Sequence, residues 1–264
     1  MNDTLRDHTL AFIGVGVMGE AMIGGLVGQQ LVAPEAIVAS DHRAARGEVV
    51  ASRFGIRTTT DNAAAVRDAQ VVVLAVKPQV LRAVFQELHD VIPSSALVLS
   101  VVAGARIESI TSGLGHAAIV RSMPNTPARV GEGMTVWTAT PVVSDAQRAQ
   151  ARTILAALGH ELHVDDETFL DMATAISGTG PAYVFLLMEA LIDAAVHLGF
   201  SRDDARHLVL QTIRGSAAFA LQSSVHPAEM RNEVTSPGGT TAEAIYQLEK
   251  GSFRTVLSKA VWAA

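Results

Sequence analysis

The sequence predicts an α/β fold with a doubly wound, mostly parallel sheet, followed by an all-α domain. Short apolar runs alternate with helical stretches through the first part of the chain, and the strand signal disappears from Asp166 onward. Repeated βα units are typical of a parallel sheet covered by helices on both faces. We therefore predict an α/β domain over residues 1–164 and a helical domain over residues 165–264.

The first predicted βα unit carries a glycine motif. An apolar run over residues 9–13 leads into Gly14-Val15-Gly16-Val17-Met18-Gly19, and a helical stretch follows. In GxGxxG between a strand and a helix, the first glycine permits the turn and the second lets a pyrophosphate approach the backbone. The third lets helix and strand pack closely. The motif predicts a Rossmann-like dinucleotide-binding domain, and a glycine-rich turn without a ligand is the alternative.

Further strands are predicted at residues 36–40, 71–76, 96–101, 117–121 and 134–139, and near Leu162. Ligands of such sheets bind beyond the carboxyl ends of the strands. Three predicted strand ends carry candidate residues, although each alone is more often a plain loop. These are Lys77-Pro78, then Val102-Ala103-Gly104, and then Met123-Pro124-Asn125-Thr126-Pro127, of which Asn125 is a candidate cofactor ligand.

The end of the second strand bears on the choice of coenzyme. Asp41 follows Gly19 at about the spacing of the acidic residue that binds the ribose 2′-hydroxyl of NAD. Arg43 lies two residues later, and a guanidinium suits the 2′-phosphate of NADP. Alternatively, Asp41 is only the N-cap of the next helix. The residues leave NADPH and NADH both open.

Composition excludes several classes of protein. The net charge is −6 and no basic run occurs, so a nucleic-acid partner is not expected. The chain has no cysteine, which excludes disulfides and thiolate chemistry and fits a cytoplasmic location. No secretory signal is evident, and no apolar run is expected to reach the roughly 18 residues of a membrane span. The histidines form no ligand pattern, so no metal site is predicted.

The helix predicted over residues 181–198 is apolar on nearly all sides and must therefore be buried. At 1.5 Å per residue it is roughly 27 Å long, too long to be covered by one small helical domain. We therefore expect a second subunit to cover it, which predicts a homodimer.

The stretch Val234-Thr235-Ser236-Pro237-Gly238-Gly239-Thr240-Thr241 is a loop that runs into another helix. Thr240 is the predicted N-cap, with Glu243 as its capping-box partner. Unpaired N–H groups at such a helix start, together with the helix dipole, suit a small carboxylate, and we expect those of residues 238–240 to anchor it. An ordinary linker between two helices is the alternative.

Five ordered motifs give the chain its family resemblance. It resembles the pyrroline-5-carboxylate reductases over essentially its whole length. The motifs are residues 12–18, Ala75-Val76-Lys77-Pro78, residues 123–127, residues 176–183 (ISGTGPAY) and the signature-like stretch of residues 234–248.

The resemblance implies reduction of the C=N bond of 1-pyrroline-5-carboxylate to L-proline by a nicotinamide cofactor, usually NADPH, in the last step of proline biosynthesis. It also implies a helical domain that binds substrate and dimerises, with dimers often forming rings of five. The implied cofactor-binding residues are Ile13, Gly14, Val15, Gly16, Val17, Met18, Asn62, Ala75, Val76, Lys77, Pro78, Val102, Ala103 and Gly104. The implied substrate-binding residues are Ser236, Gly238, Gly239, Thr240 and Thr241, and Thr241 would donate a hydrogen bond or a proton to the ring nitrogen.

Other functions are compatible with the same architecture. One is a reductase of a related cyclic imine, and another is an NAD(P)-binding regulatory protein without catalysis. A hydroxy-acid dehydrogenase is disfavoured because no lysine lies between Arg129 and Glu249 to protonate an alkoxide.

Overall fold

The computed structural model describes residues 5–264, which form two compact units divided between Thr179 and Gly180. The boundary predicted from the sequence, between residues 164 and 165, separates functional domains rather than packing units, and it stays a prediction. In terms of packing, the segment after residue 164 belongs with the sheet, because Leu170 and Ala173 are buried against Val136.

The first unit contains one sheet of eight strands in the order β3-β2-β1-β4-β5-β6-β7-β8. Every neighbouring pair is parallel except β6 and β7, which confirms the predicted doubly wound, mostly parallel fold. The strands are β1 (Leu10–Ile13), β2 (Ile37–Ser40), β3 (Arg57–Thr59), β4 (Val71–Leu74), β5 (Leu97–Ser100), β6 (Ile119–Met123), β7 (Gly133–Ala139) and β8 (Gly159–His163). The edge strand β3 was not predicted, because Arg-Thr-Thr carries no apolar signal.

Helices cover both faces of this sheet, and the central strands are buried on both sides. Leu10 and Phe12 of β1 belong to one hydrophobic cluster, whereas Ala11 and Ile13 belong to the other. The helices are α1 (Val17–Gly28), α2 (Ala44–Phe54), α3 (Asn62–Val66), α4 (Leu81–Leu88), α5 (Ile107–Leu114), α6 (Asp145–Ala156) and α7 (Thr168–Ala173). A π-helical turn, Thr174–Gly178, follows α7.

The second unit is entirely helical, as predicted. Its helices are α8 (Gly180–His197), α9 (Arg202–Leu221), α10 (Pro227–Glu233), α11 (Thr240–Lys250) and α12 (Phe253–Ala263). The Ser201 side chain caps α9 by accepting from the N–H of Asp204, and Pro227 opens α10. A serine N-cap and a proline in the first turn are both typical of helix starts.

Helix α8 carries apolar side chains that the single chain leaves exposed. None of its residues is buried, and Phe185 and Leu186 are 59% and 67% exposed. The helical stretch Thr168–His197, with a mean hydropathy of 1.4, is long and apolar enough to cross a membrane by length and composition. This corrects the expectation that no apolar run would reach the length of a membrane span. One such helix is weak evidence for a membrane span, because core helices of soluble proteins meet the same criterion.

Candidate functional site

The turn after β1 uses its glycines in two different ways. Gly14 has a φ of +95°, and a Cβ there would lie 2.8 Å from the carbonyl oxygen of Ala75. A Cβ at Gly19 would overlap the carbonyl oxygen of Gly14. Gly16, in contrast, has no heavy atom within 4 Å of its Cβ position. Two glycines are therefore required by the fold, and Gly16 leaves open space for a ligand.

The first turn of α1 presents unpaired donors beside that space. The N–H groups of Val17, Met18 and Gly19 find no acceptor among residues 5–264, whereas the N–H of Glu20 donates to the carbonyl oxygen of Gly16. Free N–H groups and the positive end of the helix dipole favour an anion. The turn therefore fits the pyrophosphate of a dinucleotide.

This turn lies where the strand order reverses, since β1 pairs with β2 on one side and with β4 on the other. The N–H of Ala75 donates to the carbonyl oxygen of Ile13, and Val76 lies against the Gly14 turn. Lys77 and Pro78 follow as exposed residues, and the Lys77 ammonium makes no hydrogen bond or ion pair within the described part of the chain. Two of the predicted motifs are thus adjacent at the switch point.

The loop after β5 lies at the same edge of the sheet. Val102 is buried, and its N–H donates to Ser100 Oγ at 3.3 Å. Ala103 and Gly104 are exposed, and Gly104 has a φ of +74° with open space around it. The structure therefore places these three predicted residues beside the loop after β4.

Asp41 is buried at the end of β2, and its carboxylate is already occupied. It accepts hydrogen bonds from the N–H of Val15 at 3.3 Å and from the N–H and Nε of Arg43 at 3.0 and 3.1 Å. Burial alone would raise the pKa of Asp41, but the bonds from Arg43 and Val15 together lower it. Asp41 does not cap α2, whose N-cap is Arg43.

Asn62 lies close to the end of β2, as its predicted role requires. Its Oδ1 accepts from Ser40 Oγ, and its Nδ2 donates to Glu87. Asn125 likewise has both ends of its side-chain amide engaged. Its Nδ2 donates to the carbonyl oxygen of Ser177 at 3.0 Å, and its Oδ1 accepts from the N–H of Met134 at 2.9 Å. The Asn125 side chain thus joins three segments of the first unit.

The predicted substrate loop belongs to the second unit. Ser236, Pro237 and Gly238 are exposed in the single chain, and Gly238 has a φ of +69°. The N–H of Gly239 closes the turn by donating to the carbonyl oxygen of Ser236 at 3.0 Å. The N–H groups of Thr240, Thr241 and Ala242 have no acceptor among residues 5–264.

The predicted capping box at this helix is wrong. Helix α11 begins at Thr240, its N-cap is Gly239, and no side chain caps it. Because the turn closes one residue earlier than expected, Glu243 occupies the fourth helical position and its N–H donates to the carbonyl oxygen of Gly239. The free donors therefore remain available to a ligand rather than to Thr240 Oγ1.

Two charged groups near the site have no signal in the sequence. Arg46 Nε donates to the carbonyl oxygen of Val15 at 2.8 Å and pairs with Glu20, which also pairs with Arg53. Burial would raise the pKa of Glu20, but the two arginines lower it. The second group is buried Arg121 with its two carboxylate partners, Glu167 and Asp171. Because the partners within each group are far apart in the chain, neither group can be recognised from the sequence.

A cavity of about 420 Å³ lies along α1 rather than at the glycine turn. Val17 is the only predicted site residue in its lining, which includes Gly24, Gly28, Arg53 and Arg129. The free N–H groups at the start of α1 and the switch point of the sheet lie at the glycine turn. Among residues 5–264 no group of three or more His, Asp or Glu side chains could hold a metal ion.

Comparison with known proteins identifies both halves of the chain. Residues 167–264 match the family model "Pyrroline-5-carboxylate reductase dimerisation", and residues 9–104 match "NADP oxidoreductase coenzyme F420-dependent". The pyrroline-5-carboxylate reductase of Pseudomonas aeruginosa is 45% identical over 97% of this chain and 93% of its own length. The Escherichia coli enzyme is 35% identical over 97% and 95%.

Solved structures agree with these relatives. The pyrroline-5-carboxylate reductase of Coxiella burnetii has a TM-score of 0.90 at 38% identity and covers 97% of this chain and 95% of that one. The Plasmodium falciparum pyrroline carboxylate reductase, solved with NADP bound, has a TM-score of 0.89 at 32% identity, with coverages of 98% and 95%. The resemblance noted in the sequence is confirmed: this chain belongs to the pyrroline-5-carboxylate reductase family.

Proposed function

We propose that this chain reduces the C=N bond of 1-pyrroline-5-carboxylate to L-proline with NADPH, completing proline biosynthesis. It is an NAD(P)H-dependent oxidoreductase with a helical unit that dimerises. The observation that carries the assignment is the open turn at Gly16, with its free N–H groups, in a chain of this family. When bound, the reduced nicotinamide supplies the hydride that converts the imine to an amine.

The first unit provides the proposed cofactor site. The N–H groups at the start of α1 hold the pyrophosphate, and the loops after β4 and β5 line the rest of the cofactor. The proposed residues are Ile13, Gly14, Val15, Gly16, Val17, Met18, Asp41, Arg43, Asn62, Ala75, Val76, Lys77, Pro78, Val102, Ala103 and Gly104. Asn125, whose side chain is engaged within the protein, supports the site from the loop after β6.

The second unit provides the proposed substrate site. The carboxylate of the substrate binds at the start of α11, where Ser236 and Gly238 shape the turn. Because the N–H of Gly239 already has an acceptor, the anchoring donors are those of Thr240, Thr241 and Ala242. The anchor therefore lies slightly further along the chain than residues 238–240, the segment that the loop sequence favours.

Thr241 is the proposed catalytic residue. It is half-buried, and its hydroxyl makes no hydrogen bond within the described part of the chain. In our proposal this hydroxyl donates to the nitrogen of the imine ring and orients it. The nitrogen gains a proton as the hydride reaches the carbon of the C=N bond, so the reaction needs a donor beside the nitrogen and no strong base.

The surroundings of Asp41 favour NADPH over NADH. An acidic residue at this position binds the ribose 2′-hydroxyl of NAD when its carboxylate is free. Here Arg43 and Val15 occupy that carboxylate, and the Arg43 side chain is itself 58% exposed. We therefore assign the 2′-phosphate to Arg43 and keep NADH as the weaker coenzyme.

We extend the proposal to the way in which subunits of this chain assemble. The apolar face of α8 is covered by a second copy, and the substrate loop of each subunit meets the cofactor bound by its partner. We further propose that the dimers assemble into a pentamer of dimers. Tyr246 and Trp262, which are 57% and 88% exposed in the single chain, are available for contacts with another copy. We place the enzyme in the cytoplasm, with no membrane or nucleic-acid partner.

Purified protein tests this function directly. Oxidation of NADPH and of NADH is followed with 1-pyrroline-5-carboxylate and, as a matched alternative, with piperideine carboxylates. We expect a higher kcat/KM with the five-membered ring and with NADPH. A preference for piperideine carboxylates would make the chain a reductase of a related cyclic imine. Coenzyme binding with no imine-dependent oxidation would instead make it a regulatory protein.

A further inference from the structure

Arg121 is a buried cation that the proposed chemistry does not use. It lies on β6 with a side chain that is 4% exposed. Its guanidinium donates to Glu167 at 2.7 Å and to Asp171 at 3.1 Å. Glu167 is the N-cap of α7, and Asp171 lies four residues later in its first turn. The two carboxylates therefore face the same side of that helix.

Glu167 makes a second contact that Asp171 lacks. Its Oε1 also accepts the N–H of Ile107 at 2.8 Å. Ile107 is the first residue of α5, whose own N-cap, Arg106, supplies no side-chain hydrogen bond. A carboxylate sixty residues further along the chain therefore caps this helix and complements its dipole.

The capped helix start forms one end of the loop that follows β5. At the strand end, the N–H of Val101 donates to the carbonyl oxygen of Leu74 at 3.0 Å. At the helix end, the Glu167 carboxylate holds Ile107. Between these ends, the N–H groups of Ala103 and Gly104 have no acceptor among residues 5–264, and both residues are exposed. The N–H of Ala105 donates to the carbonyl oxygen of Val102 at 3.2 Å, and Glu167 adds the attachment at the start of α5.

We infer that Glu167, held by Arg121, is a positioning residue for the coenzyme, acting through Ile107 on the loop of residues 102–104. The inference rests on the proposed function, which places this loop against the cofactor. Glu167 touches neither coenzyme nor substrate in this account. It fixes the loop in the conformation that receives the coenzyme, so its removal weakens coenzyme binding rather than the chemical step.

The test is direct titration of NADPH with the full-length protein, without substrate, in a matched set of variants. Glu167→Ala removes the cap, and we expect the Kd for NADPH to rise about tenfold, the change that 1.4 kcal/mol of lost interaction produces. Glu167→Gln keeps an acceptor for the N–H of Ile107 but loses the charge, so its Kd should stay within about twofold of the wild-type value. Asp171→Ala removes only a partner of Arg121 and should lower Tm without weakening coenzyme binding.

The inference would be overturned by an unchanged Kd in Glu167→Ala, or by an equal rise in Kd for Glu167→Ala and Asp171→Ala. A Kd in Glu167→Gln as high as in Glu167→Ala would also do so. If Glu167→Ala does not fold, Glu167→Asp serves, because the shorter side chain withdraws the carboxylate from Ile107 while keeping its charge. A wild-type protein that binds NADPH without reducing the imine would refute the proposed function while leaving this test interpretable.

Discussion

The two units of this chain are stabilised in different ways. In the first unit every residue of β1, β4 and β5 is buried, and two hydrophobic clusters fill the two faces of the sheet. In the second unit only Ala205 and Val209 are buried, while large apolar side chains along α8 stay exposed. The first unit thus builds its core from its own chain, whereas the second requires another copy. The match of residues 167–264 to a dimerisation family model agrees with this difference.

The largest effect is expected from a charge on α8. Leu186→Glu places a carboxylate without a partner in an apolar interface, which costs several kcal/mol. We expect the dimer to weaken by more than about 100-fold and the activity to disappear with it, as measured by light scattering and steady-state assay. Val130→Glu, at a residue of the first unit that is 77% exposed, is the matched control and should remain dimeric. A dimeric, active Leu186→Glu protein would show that the two units do not differ as described.

The next effect concerns the chemistry assigned to the helical unit. Thr241→Ala should lower kcat about 100-fold if its hydroxyl donates a proton in the transition state. Thr241→Ser keeps the hydroxyl and should retain most of the activity. Thr255→Ala, which removes another hydroxyl of the same unit, is the matched control. A loss of only a few-fold in Thr241→Ala would restrict Thr241 to positioning the ring.

In the first unit, two glycines of one turn should respond differently. Gly16→Ala adds a methyl group to open space, so Tm should stay near the wild-type value while the Kd for NADPH rises about tenfold or more. Gly14→Ala should lower the free energy of unfolding by about 2–3 kcal/mol, because it combines a positive φ with a clash against Ala75. Unfolding curves and coenzyme titrations separate the two effects. Unaltered coenzyme binding in Gly16→Ala would remove this turn from the cofactor site.

The smallest effect is a pH dependence of stability within the first unit. The hydrogen bonds of Asp41 lower its pKa from the ordinary value of 3.8, so the carboxylate contributes stability above that pH. This contribution is lost as the pH falls through the lower pKa of the folded state. Asp41→Asn should therefore flatten the dependence of the unfolding free energy on pH below about 4. Parallel curves for the two proteins would contradict the lowered pKa.

Local patterns predicted much of the fold and part of the site. The alternation of apolar and helical stretches predicted seven of the eight strands. Only the polar edge strand Arg57–Thr59 was missed, because its stability comes from pairing with β2 rather than from apolar side chains. The start of α11 was predicted one residue too late, because both threonine and glycine are acceptable N-caps and the helix begins with Gly239 in that position rather than Thr240.

The glycine turn and the need for α8 to find an apolar partner could be predicted from the sequence. Each of these depends on neighbouring residues, whose conformational preferences and hydrophobicity act locally. The bond from Arg43 to the Asp41 carboxylate and the contacts of Glu167 with Arg121 and Ile107 became visible only in the folded chain. A side chain's orientation, and every contact between distant segments, depends on how the chain packs, and no local spacing encodes that geometry.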